Sequence, residues 1–164
     1  MATAGFRPTA TAGFRRATHR GYAGAMSFSP APSGLGRIAA IGITFAALFG
    51  VGGVLLGAYA AHGAPDELKE SMSFASLHAL VHGLALFGTA LVHDMIASSP
   101  FSRWCIRLAM LGFVLGVLMF SGSIFVQIFA IYTGLTAHGG TAFLAGWLLL
   151  TLGAGAQIFR RRGP

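Results

Sequence analysis

The sequence predicts an all-α fold, an integral membrane four-helix bundle behind a disordered N-terminal tail. Two bulk properties and one pattern predict it. Apolar residues make up 55% of the 164-residue chain and charged residues 9%, against roughly a quarter charged in a soluble domain. The mean hydropathy is +0.73. Four uncharged apolar runs, at 38–61, 74–92, 108–132 and 141–159, each approach the ~20 residues that a helix needs to cross the hydrocarbon core.

The first run opens after Arg37 and closes before Pro65-Asp66-Glu67. The second ends ahead of Ser98-Ser99-Pro100, and the fourth follows Gly139-Gly140. Charge and turn residues of this kind mark element boundaries. Residues 37–162 therefore form one transmembrane domain, and no second hydrophilic domain is present to carry a separate activity.

Residues 1–36 differ in kind. They are rich in Ala, Thr, Gly, Ser and Pro and contain no Asp or Glu; with Arg37 counted, five of the eleven Lys and Arg residues gather there. Disorder is expected. The segment reads either as a mitochondrial presequence, with Arg20-Gly21-Tyr22-Ala23 similar to a matrix-protease site, or as a mis-assigned start, with Met26 opening a short bacterial leader. The near-repeat of residues 3–7 at 11–15 fits both.

Orientation follows from Lys and Arg, which are retained on the cytoplasmic or matrix side. Arg37, then Arg103 and Arg107, then Arg160, Arg161 and Arg162 fall on one side of a four-span topology. The opposite loops hold only Lys69, beside three acids. Both termini are expected inside. A pI near 11.2 raises nucleic acid as a partner, but the basic residues lie in tails and one loop and form no basic face. The expected partners are the lipid bilayer and other membrane subunits or a second copy, with no nucleic acid. Cys105 is the single cysteine, so there is neither an intrachain disulfide nor a cysteine-rich metal site.

At about 100° per residue, Gly42, Ala46, Gly50, Gly53, Gly57 and Ala61 share one groove-like face of the first helix. Gly112 and Gly116 repeat the device on the third, followed by Ser123 and Gln127. Ala142, Gly146 and Gly153 do so on the fourth. Lipid gives no hydrophobic drive between helices, so close approach through small residues is what holds them. The helix-packing set is Gly50, Gly53, Gly57, Gly112, Gly116 and Gly146.

The second helix turns His78, His82 and His93 to the same side as Ala75 and Thr89, opposite Leu77, Leu80, Val81, Leu84 and Leu91. His82 falls near the bilayer midplane, where an imidazole needs a partner or a wet cavity. Ser123 and Gln127 are the expected partners, and the buried polar set is His62, His78, His82, Ser123 and Gln127. His62 and His138 fall at the outer side near His78, so three imidazoles can meet there, and neutral imidazole is the commonest transition-metal ligand. Three readings stay open: interhelical hydrogen bonding, a proton relay, or a metal or haem site. If His82 only bonds a neighbour, Asn replaces it without loss and Leu costs about 0.6–2 kcal/mol.

Other chemistry is missing. Ser121-Gly122-Ser123 lacks the strand and triad acid of a nucleophile elbow. Asp94 is the only acid outside the 66–70 loop. No catalytic residue, cofactor or metal follows from these residues, and the chain reads as no enzyme.

Four motifs in order, Leu56-Gly57-Ala58-Tyr59-Ala60-Ala61-His62-Gly63, His82-Gly83-Leu84-Ala85-Leu86-Phe87, Phe120-Ser121-Gly122-Ser123-Ile124-Phe125 and residues 139–147 (GGTAFLAGW), carry a resemblance. The chain resembles the small four-helix membrane proteins grouped as domain of unknown function 423, including bacterial YgdD and the animal transmembrane protein 256, over roughly 37–159. It departs from them at His78-Ala79, where Tyr-Gln is frequent, and at Ala137, where proline is. The resemblance implies the fold and topology and brings no activity or functional residue. Phe-Ser-Gly-Ser in the third motif resembles bacterial members, which favours a bacterial plasma membrane over a mitochondrial inner membrane. The residues themselves, glycine packing faces without a catalytic constellation, read as a non-enzymatic structural or accessory membrane component. The alternative is a transporter or proton-conducting element built on the helix-two histidines, hinted at by Ala-His-Gly at both 61–63 and 137–139.

Overall fold

The computed structural model describes residues 34–95 and 99–158. The tail apart from 34–36, the alternatives for its origin and the arginines at 160–162 lie outside the described residues. Four helices follow in order: α1 (Arg37–His62), α2 (Asp66–Met95), α3 (Pro100–Phe125) and α4 (Thr136–Gly155). At about 1.5 Å per residue, even the 20 residues of α4 reach about the 30 Å of a hydrocarbon core. The chain is a multi-pass membrane protein with four helices long and apolar enough to span.

Each helix begins for a local reason. Pro65 precedes α2 and Asp66 and Glu67 occupy its first turn, where acids favour the positive end of the helix dipole. This adds two polar turns ahead of the apolar run expected at 74. Ser99 caps α3 by accepting from the Ser102 amide, with Pro100 just inside, the arrangement that best fills a helix start. The third helix therefore starts well before Leu108 and carries Arg103 and Arg107 on regular helix. It also stops early: Val126–Phe129 tighten into a 3-10 turn, closed by Ala130 at φ 58°. A side chain there meets the steric cost of left-handed backbone. Uniform hydrophobicity through Tyr132 concealed this stop. The fourth helix opens at Thr136, five residues before the apolar run; Gly139 sits inside it packed on Phe120 of α3, whereas a Cβ on Gly140 would meet nothing within 4 Å.

Helices adjacent in sequence pack on one another as short loops require, and α1 touches α3 only slightly. One core joins Phe49, Leu86, Ile106, Phe113, Val117 and Phe143. A smaller cluster of Ala60, Met72, Ala75 and Ile124 lies toward the end where α1 turns into α2. Leu48, Val54, Leu84, Leu144 and Leu148 are each more than half exposed. On a soluble protein so large an apolar exterior marks an interface; on this chain it is the surface that lipid wets.

Candidate functional site

Helix α2 is the hub, because its polar side chains meet α1, α3 and α4 at different heights. Near one end, Ser76 donates to the Gly53 carbonyl of α1 at 2.7 Å and Ser121 of α3 donates to the Ala75 carbonyl at 2.8 Å. A hydroxyl reaches a neighbouring helix's carbonyl only where the backbones come close. A Cβ on Gly53 would stand 2.7 Å from Leu80 Cγ, and one on Gly57 2.9 Å from Ser76 Oγ. Gly50 differs: its own side-chain direction is open, while its amide lies beneath Gly83 of α2.

Between α3 and α4 backbone meets backbone. A Cβ on Gly112 would stand 3.1 Å from the Ala142 carbonyl oxygen and from Gly146 Cα, and one on Gly146 2.9 Å from Phe113. Gly116 lies directly beneath the Phe143 ring, which leaves no space for a methyl.

At the middle, His82 is buried and its ring stacks on Phe143 of α4, centroids 3.5 Å apart and planes 12° apart. His78, one turn earlier and half-buried, stacks on Phe120 at 4.4 Å and lies 5.8 Å from His82. Each Nδ1 donates to the carbonyl four residues back, Phe74 for His78 at 2.8 Å and His78 for His82 at 2.9 Å. A carbonyl only accepts, so both rings carry their proton on Nδ1. The interhelical contact of His82 is thus aromatic. Its expected partners lie elsewhere: Ser123 pairs with Thr136 of α4 at 2.6 Å, and Gln127 sits in the 3-10 turn after α3.

The outer imidazoles do not converge. His62 is an exposed last-turn residue of α1 and His138 is exposed on α4. Among the described residues no three His, Cys, Asp or Glu side chains are placed to share a metal ion.

The densest polar cluster is at the opposite end of α2, where sequence reasoning placed His93 on the inward face and went no further. His93 is buried. Its Nδ1 donates to Asp94 Oδ1 at 3.0 Å, and its Nε2 accepts from Arg107 Nε of α3 at 3.1 Å. Asp94 Oδ2 accepts the Gly36 amide at the head of α1 at 2.7 Å. Because a guanidinium only donates, Nε2 is the bare nitrogen and Nδ1 carries the proton. One neutral imidazole therefore joins an anion and a cation, and three helix ends with them. Nearby, Gln157 beyond α4 donates to Ser102 Oγ of α3 at 2.6 Å. The signal in the sequence was Asp94, the sole acid beside an apolar run, next to an inward histidine and one loop away from two arginines.

Apolar clefts open toward lipid. One of about 530 Å³ lies where α1 and α3 part, between Leu55 and Tyr59 on one side and Leu118 and Phe125 on the other. Ser121 also lines it, with its hydroxyl turned to Ala75. Chemically the bundle offers closed polar contacts and stacked rings.

The family model for "Protein of unknown function (DUF423)" matches residues 56–146. That stretch holds the α1–α2 turn, both stacked histidines, His93, Asp94 and Arg107 of the end cluster, and the α3–α4 glycine contact. A UPF0382 membrane protein of Haemophilus influenzae is 33% identical over 119 residues, spanning 68% of this chain and 91% of the relative. No solved structure matches. The matched span exceeds half of the chain and the relative covers two thirds of it, and the chain belongs to the DUF423 family of membrane proteins.

Proposed function

We propose that this protein is a non-enzymatic structural or accessory component of its membrane, a bundle whose interior is closed and whose outer faces meet lipid and other subunits or a second copy. One observation carries the reading: the interhelical polar side chains are spent on protein partners. Ser76, Ser121, Ser123, His93 and Gln157 each hold a neighbouring helix or its flank. A conduction path needs polar groups that exchange partners with water along its length, and at the centre His82 is covered by Phe143 and flanked by Phe113 at 5.9 Å. The bacterial plasma membrane is the proposed location, with both termini inside, supported by the Lys and Arg distribution and by a bacterial relative named as a membrane protein.

The test is dissipation of a pH gradient in proteoliposomes. Wild-type protein is expected to leak no faster than empty liposomes. Flux above that level, lost alike in His82→Phe and His82→Asn, overturns the reading in favour of the proton-conducting alternative, since neither replacement takes up and releases a proton near neutral pH.

A further inference from the structure

Arg107 sits on α3 immediately before the uncharged apolar run that begins at Leu108, the change from charged to apolar residues that marks a span's headgroup edge. Its guanidinium has five N–H donors in a rigid fork. The Nε–H is fixed on His93, itself aligned by Asp94, and the carbon at the centre of the fork lies 5.6 Å over the Trp104 ring. The orientation is therefore set from two sides. Its terminal nitrogens make no hydrogen bond among the described residues. Cationic donors at a hydrocarbon boundary are costly unless something satisfies them.

The surroundings specify what does. Trp104 is 61% exposed and Phe101 59%, aromatic rings at the depth where Trp anchors to an interface. Leu108 and Leu111 continue the same exposed row down the helix, three or four residues apart, as one lipid-facing stripe requires. At this end the described charged side chains are Arg37, Arg103 and Arg107 against Asp94 alone. Asp94 is already committed to His93 and Gly36. Positive charge is in surplus beside an apolar track.

We infer that Arg107 and Trp104, oriented by the Asp94–His93 pair, form a binding site for an anionic phospholipid, with its phosphate on the terminal nitrogens of Arg107 and its acyl chain along Leu108 and Leu111. A phosphate oxygen pair fits a guanidinium fork bidentately, which a lysine cannot reproduce. A zwitterionic lipid brings its own cation to a corner that already has too many. The inference rests on membrane embedding alone and stands whether or not the protein is a structural component.

The full chain, purified from vesicles containing equal phosphatidylglycerol and phosphatidylcholine, is examined by native mass spectrometry for retained lipid. Wild type is expected to retain phosphatidylglycerol about tenfold over phosphatidylcholine, with Arg107→Gln abolishing that preference and Arg37→Gln keeping it within about twofold. If Arg107→Gln does not fold, Arg107→Lys keeps the charge without the fork and is expected to lose most of the preference. A parallel thermal midpoint in detergent rises with added phosphatidylglycerol and not with inorganic phosphate, which separates a lipid from a free anion. Equal retention of both lipids by wild type overturns the site. So does an equal loss in Arg37→Gln and Arg107→Gln, because attraction would then be diffuse.

Discussion

His82 was legible as an inward histidine because the 3.6-residue period of α2 separates it from the leucine face. What it does there was not legible, because the ring's neighbour, Phe143, is 61 positions away in the chain and on another helix. From sequence, Asn is the natural replacement, since it keeps a donor and an acceptor. The stack reverses that order. The His78 carbonyl, which His82 Nδ1 bonds, also takes a helix amide, so removing Nδ1 leaves no orphaned acceptor. Removing the ring forfeits an aromatic pair worth about 0.5–1.5 kcal/mol and opens a cavity. His82→Phe is expected to unfold within about 1 kcal/mol of wild type, and His82→Asn about 1–3 kcal/mol below it. Unfolding in mixed micelles by denaturing detergent measures both; Asn more stable than Phe would contradict the stack as the main contact.

At the scale of elements, glycine in these helices is of two kinds that composition does not separate. Gly112 faces the backbone of α4, with the Ala142 carbonyl oxygen 3.1 Å from where a Cβ would stand, whereas a Cβ on Gly88 of α2 would meet nothing within 4 Å. Backbone cannot move aside as a side-chain tip can. Gly112→Ala is therefore expected to cost about 1–3 kcal/mol by prying α4 from α3, while Gly88→Ala is neutral or gains up to about 1 kcal/mol from helix propensity. Thermal midpoints of the two variants in one detergent check the contrast, and similar shifts in both would remove the α3–α4 glycine contact from the account. Helix ends were legible where caps and charge mark them, as at Ser99-Pro100, and not where hydrophobicity runs on. The 3-10 turn at Val126–Phe129 and left-handed Ala130 lie inside an apolar stretch with no Gly or Pro to announce them.

For the whole molecule, Lys and Arg bias predicts that the C-terminus and residues 66–70, which open α2, lie on opposite sides. Reporter fusions after Pro164 and within residues 66–70 are expected to give opposite signals, the first inside; matching signals would end the four-span topology. Membrane residence and span number followed from sequence because they depend on local quantities: apolar length, charge and turn residues. Helical period, also a local property, places the buried His82 and His93 on one face of α2, but it does not separate Gly53, which meets α2, from Gly50, whose side-chain direction is open. Tertiary structure alone decided how those faces are used. It set Ser76 on Gly53, Ser123 on Thr136, and Arg107 on His93, pairings between residues whose separation in the chain carries no register information. In lipid these contacts are selected by which backbones can approach and which polar groups must be satisfied there, and both conditions exist only once the helices have met.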